Sequence, residues 1–305
     1  MLPITRQNFL KLTLGTGAAH LAASRLSFAA TEKLESSDIG IYTALEGKDV
    51  DNTFKRISDL GFKKCELYTD EYGTEMIKPL KEAMQKYNMQ VLALFTLGPG
   101  STTWDFYGGQ RDIGLVSKEH REARVDAMIQ LSNLARECGI GMIETHAGFL
   151  PENPNDPNYK PTVEALKKVI GHCAKNRQHF LYHAGQESPT TLLRTMLDVG
   201  FENQGVGMDT ANLIMYDRGH PYNALDVYGK YIRLVNAKDG VYPTDPRNLG
   251  KEVPIGEGKV NFSSLFRKLK ATGYSGSIII EREGAEGAQW NKEVIEAKKF
   301  LQKLL

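Results

Sequence analysis

Polar residues that can bind a metal or transfer a proton stand at the ends of several short apolar segments. These residues are Glu66, Glu144, His146, His183, Asp209, Asn236 and Glu281. Where parallel strands end at one edge of a sheet, such side chains leave the packed interior and meet the substrate. Imidazole, carboxylate and amide groups together suit a divalent ion such as Mn, Co, Mg or Zn. The pattern therefore predicts a polar centre built from strand ends.

Four of these residues are the last residues of four consecutive predicted strands. Their positions predict one imidazole, two carboxylates and one amide around a common point. The predicted metal ligands are His183, Asp209, Asn236 and Glu281.

The strands that carry these residues are short apolar runs that alternate with longer segments of helical periodicity. The predicted strands are Ile39 to Tyr42, Lys64 to Tyr68, Gln90 to Phe95, Met142 to His146, Phe180 to His183, Val206 to Asp209, Ile232 to Asn236 and Ser277 to Glu281. The predicted helices, with apolar residues three and four apart, are Val50 to Leu60, Met76 to Tyr87, Ala123 to Cys138, Val163 to Asn176, Thr190 to Val199, Pro221 to Tyr231, Phe262 to Thr272 and Trp290 to Leu305. Eight strand and helix pairs predict one (β/α)8 TIM barrel over residues 31–305. A dinucleotide-binding sheet is disfavoured because no Gly-x-Gly-x-x-Gly follows the first strands.

Residues 1–30 are predicted to be an export signal. The small and apolar run Leu12 to Leu21 precedes Ser27 to Ala30, which offers a cleavage region. The segment Thr5 to Lys11 resembles a twin-arginine signal, Ser-Arg-Arg-x-Phe-Leu-Lys, with Gln7 in place of the second arginine. A Sec-type signal is the alternative route. We therefore expect an exported protein, periplasmic or secreted.

Charge and hydropathy narrow the range of partners. With 38 Lys and Arg against 37 Asp and Glu, the net charge of +1 gives no electrostatic reason to expect nucleic acid or an anionic membrane surface. After residue 30, no segment approaches the roughly 20 uninterrupted apolar residues of a membrane span. A small-molecule partner is expected, and a homo-oligomer is left open.

Two long connections are predicted to lie above the mouth of the barrel. The first, Gly98 to Ser117, contains Trp104 and follows the third strand; the second contains Phe149 and follows the fourth. Aromatic faces in such loops suit a small polar ring. The alternative is that these aromatic residues only cover the barrel rim.

Six ordered segments of the chain form a recognisable series of motifs. They are Thr145 to Pro151, Gly185 to Leu193, Met208 to Ile214, Ala237 to Gly240, Leu249 to Gly258 and Ile280 to Glu283. Together they resemble the sugar isomerase/epimerase family with the xylose isomerase-like TIM barrel fold. The resemblance covers nearly the whole chain after residue 30, and it is specific for the family rather than for a substrate.

That resemblance implies a metal held by Glu, Asp, His and Glu after the fifth to eighth strands. Asp209 and Glu281 stand at two of these positions. At the other two, the family's Glu-Thr-Gly-Gln-Glu is His183-Ala184-Gly185-Gln186-Glu187, and its Val-His-Ala-Lys-Asp is Val235-Asn236-Ala237-Lys238-Asp239. One formal negative charge is lost, and a neutral amide is a weaker ligand than imidazole, so we expect a lower affinity for metal.

The resemblance also implies the reaction, in which a proton beside a sugar carbonyl is removed and returned through an enediolate. Only one of the family's two glutamate bases remains. We therefore expect Glu281 to act as the base and His183 as the second acid/base. The residues predicted to contact the carbohydrate are His146, Glu187, Lys238, Trp104 and Glu66.

Two alternatives remain at this level. The replaced ligands favour a metal-free or non-catalytic barrel that binds a sugar through hydrogen bonds. Elimination from a keto sugar, by a keto-sugar lyase, would demand less of a second base. An endonuclease of the same barrel type is disfavoured by the near-zero net charge.

Overall fold

A closed barrel of eight parallel strands forms the centre of the protein, in a computed structural model that describes residues 38–45 and 47–305. The barrel strands are β1 (Ile39–Ala44), β2 (Lys64–Tyr68), β3 (Gln90–Phe95), β4 (Met142–Thr145), β5 (His179–His183), β6 (Gln204–Asp209), β7 (Ile232–Ala237) and β10 (Ile278–Ile280). Around the barrel their order is β1, β10, β7, β6, β5, β4, β3 and β2. Neighbouring strands all pair in parallel. The predicted (β/α)8 fold is thereby confirmed, whereas the predicted export signal at residues 1–30 lies outside the described residues.

Helices surround the barrel in the connections between its strands and after the last strand. They are α1 (Val50–Asp59), α2 (Ile77–Tyr87), α3 (Gly109–Asp112), α4 (Arg121–Glu137), α5 (Tyr159–Lys175), α6 (Pro189–Val199), α7 (Asn212–Met215), α8 (Pro221–Tyr228), α9 (Phe262–Ala271) and α10 (Gly287–Gln302). Helix α1 shows why they form, since Val50, Phe54 and Ile57 lie on one helical face and are all buried in the core. No helix among the described residues is long and apolar enough to cross a bilayer.

Helix α6 follows the strand that carries His183, and local signals fix both of its ends. Ser188 accepts a hydrogen bond from the Thr191 N–H, and Pro189 occupies the first turn. Gly200 ends the helix in the left-handed conformation at φ 76°. The capped start of α6 therefore fixes the end of the short connection that leads from His183 to the helix.

The barrel interior changes from apolar to polar within two residues along several strands. A small cluster of buried side chains, Ala93, Leu181, Leu234 and Ile279, fills the interior. Side chains two residues apart on a strand share a face. The next inward positions on β5, on β7 and just after β10 are therefore His183, Asn236 and Glu281. This alternation is what places polar groups at the carboxyl end of the barrel.

A hairpin over the barrel mouth is not among the predicted elements. Strands β8 (Asp239–Val241) and β9 (Lys251–Val253) pair antiparallel, directly after β7. Each is only three residues long, too short for a periodicity to be read. The short helices α3 and α7 were missed for the same reason.

Asp239, at the start of this hairpin, ties the following loop to the barrel. Its buried carboxylate accepts hydrogen bonds from four backbone N–H groups, those of Gly240, Gly256, Gly258 and Val260, at 2.9–3.1 Å. A carboxylate that accepts so many N–H groups holds a loop firmly. The loop therefore fixes the backbone next to Lys238.

Candidate active site

Three side chains at the carboxyl end of the barrel form a group that could hold a metal ion. His183 ends β5, Asp209 ends β6 and Glu281 follows β10. One ligand atom from each lies within 4.8 Å of the others, and all three residues are buried. The His183 Nε2 atom is 3.3 Å from Asp209 Oδ2 and 3.9 Å from Glu281 Oε2. The structure therefore brings these predicted residues together.

A third carboxylate, that of Glu144, orients the His183 ring. Its Nδ1 donates a hydrogen bond of 2.8 Å to Glu144 Oε1, on the neighbouring strand β4. Both side chains are buried. A carboxylate behind a histidine fixes the ring and its tautomer and leaves Nε2 facing Asp209 and Glu281.

Gly207 on β6 makes room for that carboxylate. It pairs in register with His183, and a Cβ at this position would collide with the Glu144 carboxyl group. The glycine is therefore required by the Glu144 side chain rather than by its own backbone conformation.

Asn236 belongs to the same cluster but contacts carboxylates rather than the imidazole. Its Nδ2 donates to Glu66 Oε2 at 2.6 Å and to Glu281 Oε2 at 3.0 Å. Within the described part of the chain, Asn236 Oδ1 and Glu66 Oε1 are buried without a hydrogen-bond partner. Such oxygens are costly to bury unless a cation or donor satisfies them.

Lys238 supplies a buried ammonium group to Glu281 and two other carboxylates. Its Nζ donates to Glu281 Oε1 at 2.9 Å, makes a closer contact with Glu283, and lies 3.7 Å from Asp209 Oδ2. Only 2% of Lys238 is exposed. The Lys238 ammonium group therefore contacts both Glu281 and Glu283, which lies two residues further along the chain.

Asp209 is held by the backbone as well as by charge. Its Oδ1 accepts N–H groups of Ala211 and Asn212 at 2.7 and 2.8 Å, at the start of α7. Its other oxygen, Oδ2, faces His183 and Lys238. The bonds to Oδ1 therefore fix the orientation of the Asp209 carboxylate, and Oδ2 remains directed at the candidate metal site.

The charges shift the pKa values of these groups in opposite directions. Burial raises the pKa of Glu281 to about 7, against the attraction of Lys238 and His183. Burial also lowers the pKa of His183, but Glu281, Asp209 and Glu144 outweigh it and hold this pKa well above its usual range. For Asp209, burial raises the pKa, and Lys238 with His183 brings it below its ordinary value. The imidazole and the Asp209 carboxylate therefore stabilise each other as an ion pair.

The donor set fits a divalent ion. Bonds of about 2.0–2.2 Å from such an ion place two of its ligands roughly 3–4 Å apart, which is the spacing from His183 Nε2 to Asp209 and Glu281. Nitrogen and carboxylate donors together suit Mn, Co, Mg or Zn. Asn236 Oδ1, buried without a hydrogen-bond partner among the described residues, is the remaining oxygen of the predicted ligand set.

An inner cavity of about 300 Å³ opens beside the cluster, with Phe95, Trp104, His146, Met215, Tyr216 and Glu281 among its walls. Three of the residues predicted to contact the substrate line it, namely His146, Lys238 and Trp104. His146 donates from Nδ1 to Gln186 Oε1 at 2.9 Å, and burial with the nearby charge of His183 keeps its pKa well below the usual range. A neutral imidazole Nε2 is therefore available as an acceptor.

The other two predicted substrate contacts are placed differently. Glu66 is buried beside Asn236, and burial together with Glu144 raises its pKa well above the ordinary value. No hydrogen bond or ion pair among the described residues joins Glu187 to His183, Asp209 or Glu281. Burial raises the Glu187 pKa to about 8. Their role in binding remains a prediction.

Sequence reasoning assigned no role to several residues of this site. Glu144 could be recognised as a strand-end carboxylate, but nothing in the chain signals that it orients His183. Phe95, Met215 and Tyr216 also line the cavity, but the sequence does not mark them as metal ligands or proton-transfer groups. Phe95 ends strand β3, whereas Met215 and Tyr216 reach the cavity through helix α7 in the connection after β6.

The closed parallel barrel carries a buried imidazole and carboxylates at its carboxyl end. The fold and the site therefore place the protein in the class of TIM barrels whose sites lie on that face. Residues 54–304 match the family described as xylose isomerase-like TIM barrel. The chain belongs to this family, as its sequence motifs predict.

Solved structures share this architecture. A xylose isomerase domain protein from Planctomyces limnophilus is 28% identical, with a TM-score of 0.82 over 88% of this chain and 96% of that one. A xylose isomerase-like TIM barrel protein from Mycobacterium smegmatis in complex with magnesium is 14% identical, with a TM-score of 0.68 over 89% and 98%. A D-psicose 3-epimerase in the presence of D-fructose is 15% identical, with a TM-score of 0.65 over 88% and 99%. At these lower identities the likeness shows the fold alone.

We expect Gly207→Ala to disturb the site through Glu144. The added methyl group would displace the carboxylate that orients His183 and destabilise the protein by about 1–3 kcal/mol, as overpacking does. Urea unfolding measures the loss. Gly141→Ala is the control because a Cβ there meets no atom within 4 Å. Equal stability of the two variants would contradict this account of Gly207.

The raised pKa of Glu187 predicts a pH-dependent loss of stability. Its pKa is about 8 in the fold and near 4.5 in the unfolded chain, so the carboxyl group favours folding fully only below pH 4.5. Between pH 4.5 and 8 the unfolded state ionises first, and up to a few kcal/mol are lost. From pH 5 to pH 8.5, the free energy of unfolding should therefore decrease more for the wild type than for Glu187→Gln. The exposed Glu257→Gln variant should follow the wild type, and parallel pH profiles of all three proteins would refute the prediction.

Proposed function

We propose that this protein is a carbohydrate isomerase or epimerase that removes and returns a proton beside a sugar carbonyl, assisted by a divalent metal. The observation that carries the proposal is the buried group of His183, Asp209 and Glu281 at the wall of the inner cavity. Membership of the xylose isomerase-like family, and the sugar epimerase among the structures of the same fold, support it.

Glu281 is the proposed base. Its carboxyl group lies at the cavity wall, and Asn236 and Lys238 hold its two oxygens at 3.0 and 2.9 Å. These contacts fix its orientation before substrate arrives, which general base catalysis requires. His183, which also lines the cavity, is the proposed second acid/base where no metal occupies its Nε2, because its Nδ1 is already bonded to Glu144.

The substrate oxygens would meet donors already in place. Lys238 places an ammonium group at the cavity wall, where it can stabilise negative charge on an enediolate oxygen. His146 offers a neutral imidazole to a hydroxyl group. His183, Asp209 and Glu281 would hold the metal, and when bound it would polarise the sugar carbonyl.

A metal-free function is the second candidate, and a specific contact favours it. The Lys238 ammonium group lies 2.9 Å from Glu281 and 3.7 Å from Asp209, where it neutralises carboxylates that would otherwise attract a metal. In that case the barrel would bind a sugar, or eliminate from a keto sugar, without an ion.

The proposed setting is outside the cytoplasm. Its support is the signal-like pattern of residues 1–30, which favours an unphosphorylated carbohydrate as substrate.

The reaction predicts hydrogen exchange at the carbon beside the carbonyl. Ketohexoses incubated with the protein in D₂O should gain deuterium at that carbon, as followed by proton NMR. Glu281→Gln should slow the exchange by at least about 100-fold, because it removes the base but keeps the shape. Glu257→Gln is a matched control with an exposed carboxylate. Undiminished exchange in Glu281→Gln would refute the role of Glu281.

The metal content of the same preparations separates the two candidates. About one equivalent of divalent metal per chain, lost in Asp209→Ala, supports the metal-assisted reaction. Exchange by a protein that holds no metal, and whose thermal stability added metals do not change, supports the metal-free function instead.

A further inference from the structure

A second, larger cavity adjoins the inner one. This outer cavity measures about 640 Å³ and has Tyr42, Arg56, Tyr68, Trp104, Ala285 and Trp290 among its walls. Among the residues that the structure describes, four line both cavities, namely Tyr42, Leu97, Trp104 and Glu283. The two spaces are therefore neighbouring parts of one binding region on the active face.

The inner cavity alone is small for a ligand site. Its volume of about 300 Å³ lies at the lower end of the range of about 300–1,000 Å³ for small-molecule pockets. One hexose suits a space of that size, whereas the outer cavity, about twice as large, extends well beyond it. A monosaccharide bound at Glu281 would leave the outer cavity to solvent.

Trp104 stands at the junction of the two cavities. Its ring centre is 5.3 Å from that of His146 on the inner side, yet 47% of the residue is exposed. An indole ring gives a broad apolar face that can pack against the C–H groups of a sugar ring. Tyr68 adds a second aromatic wall, half-buried, in the outer cavity.

Arg56 supplies polar contacts to the outer cavity from a fixed position. Its guanidinium carbon lies 4.8 Å from the centre of the Trp290 ring, and its Nη2 donates to Thr43 Oγ1 at 3.1 Å. The Trp290 ring is itself held, because its Nε1 donates to the Arg282 backbone oxygen at 2.8 Å. A guanidinium has five N–H donors, so the remaining ones can meet sugar hydroxyl groups.

The charges around the outer cavity favour a neutral ligand. Arg282 is paired with Glu252 and Glu293 at 2.8 and 2.6 Å. Glu283 is paired with Lys238. The exposed carboxylate of Glu286 also lines the cavity and offsets Arg56. An anionic group would gain little there, whereas hydroxyl groups can use both donors and acceptors.

From these observations we infer that the substrate has two linked sugar units, with the reacting unit in the inner cavity and the second unit between Trp104 and Arg56. This inference rests on the proposed function, since it names the substrate class for the same site. It assigns Trp104 and Arg56 to a subsite for the unit that does not react.

Keto-disaccharides test the inference against free ketohexoses. Saturation-transfer NMR would give the affinities of maltulose and isomaltulose, in which the fructose unit carries a glucose, beside those of D-fructose and D-tagatose. We expect a disaccharide to bind at least about tenfold more tightly than the hexoses. That ratio should fall towards one in Arg56→Ala and persist in Arg267→Ala, a control with an exposed arginine on α9. Thermal melting would verify that both variants are folded.

Binding and exchange together distinguish the possible failures. Equal affinity for hexoses and disaccharides, with exchange in D₂O retained, would overturn the second subsite and leave the proposed function standing. Tighter binding of a disaccharide without any exchange would support the subsite and contradict the isomerase reaction. A gain that survives Arg56→Ala would overturn the assignment of Arg56, and no binding of any of these sugars would overturn both proposals.

Discussion

The balance of charge among buried groups is the constraint on which this site depends. Asp209 and Glu281 are almost fully removed from water, and an isolated carboxylate in such surroundings would be strongly destabilised. The structure offers two cations to offset them, the imidazolium of His183 and the ammonium group of Lys238. Removing either partner of a buried pair leaves the other charge uncompensated, which costs far more than the pair contributes. A substitution that removes one of these four charges is therefore expected to require a compensating substitution at another.

A metal ion would compete with the His183 proton and the Lys238 ammonium group for the same carboxylates. The Nε2 proton of His183 stands where the ion would bind, and Lys238 already faces both carboxylates. Metal binding must therefore release a proton, and the new charge must be accommodated beside the ammonium group. The exposed carboxylate of Glu283, already in contact with Lys238, can keep that group in place. The affinity for metal is thus set as much by Lys238 as by the three ligands.

Much of the fold could be predicted from the sequence, because strand and helix periods are strong in this chain. The position of the polar centre also followed from strand ends, since His183, Asp209 and Glu281 each close an apolar run. The partners of these residues could not be predicted in the same way. That Glu144 lies behind His183 depends on the register between β4, β5 and β6, and the hairpin beside Lys238 is too short to show a pattern. Local sequence determines the elements, whereas contacts between strands depend on the closed barrel.

The position of the imidazole on β5 is supported by two neighbouring residues at once. A histidine in this place needs an acceptor for Nδ1, which Glu144 provides from β4. The carboxyl group in turn needs space, which Gly207 provides from β6 because it has no side chain. Without Glu144 the histidine would lack its orienting partner, and without His183 the carboxylate would be buried without a donor. Three mutually dependent positions on adjacent strands therefore favour a site adapted to an imidazole at residue 183 over a site that has merely lost a metal ligand.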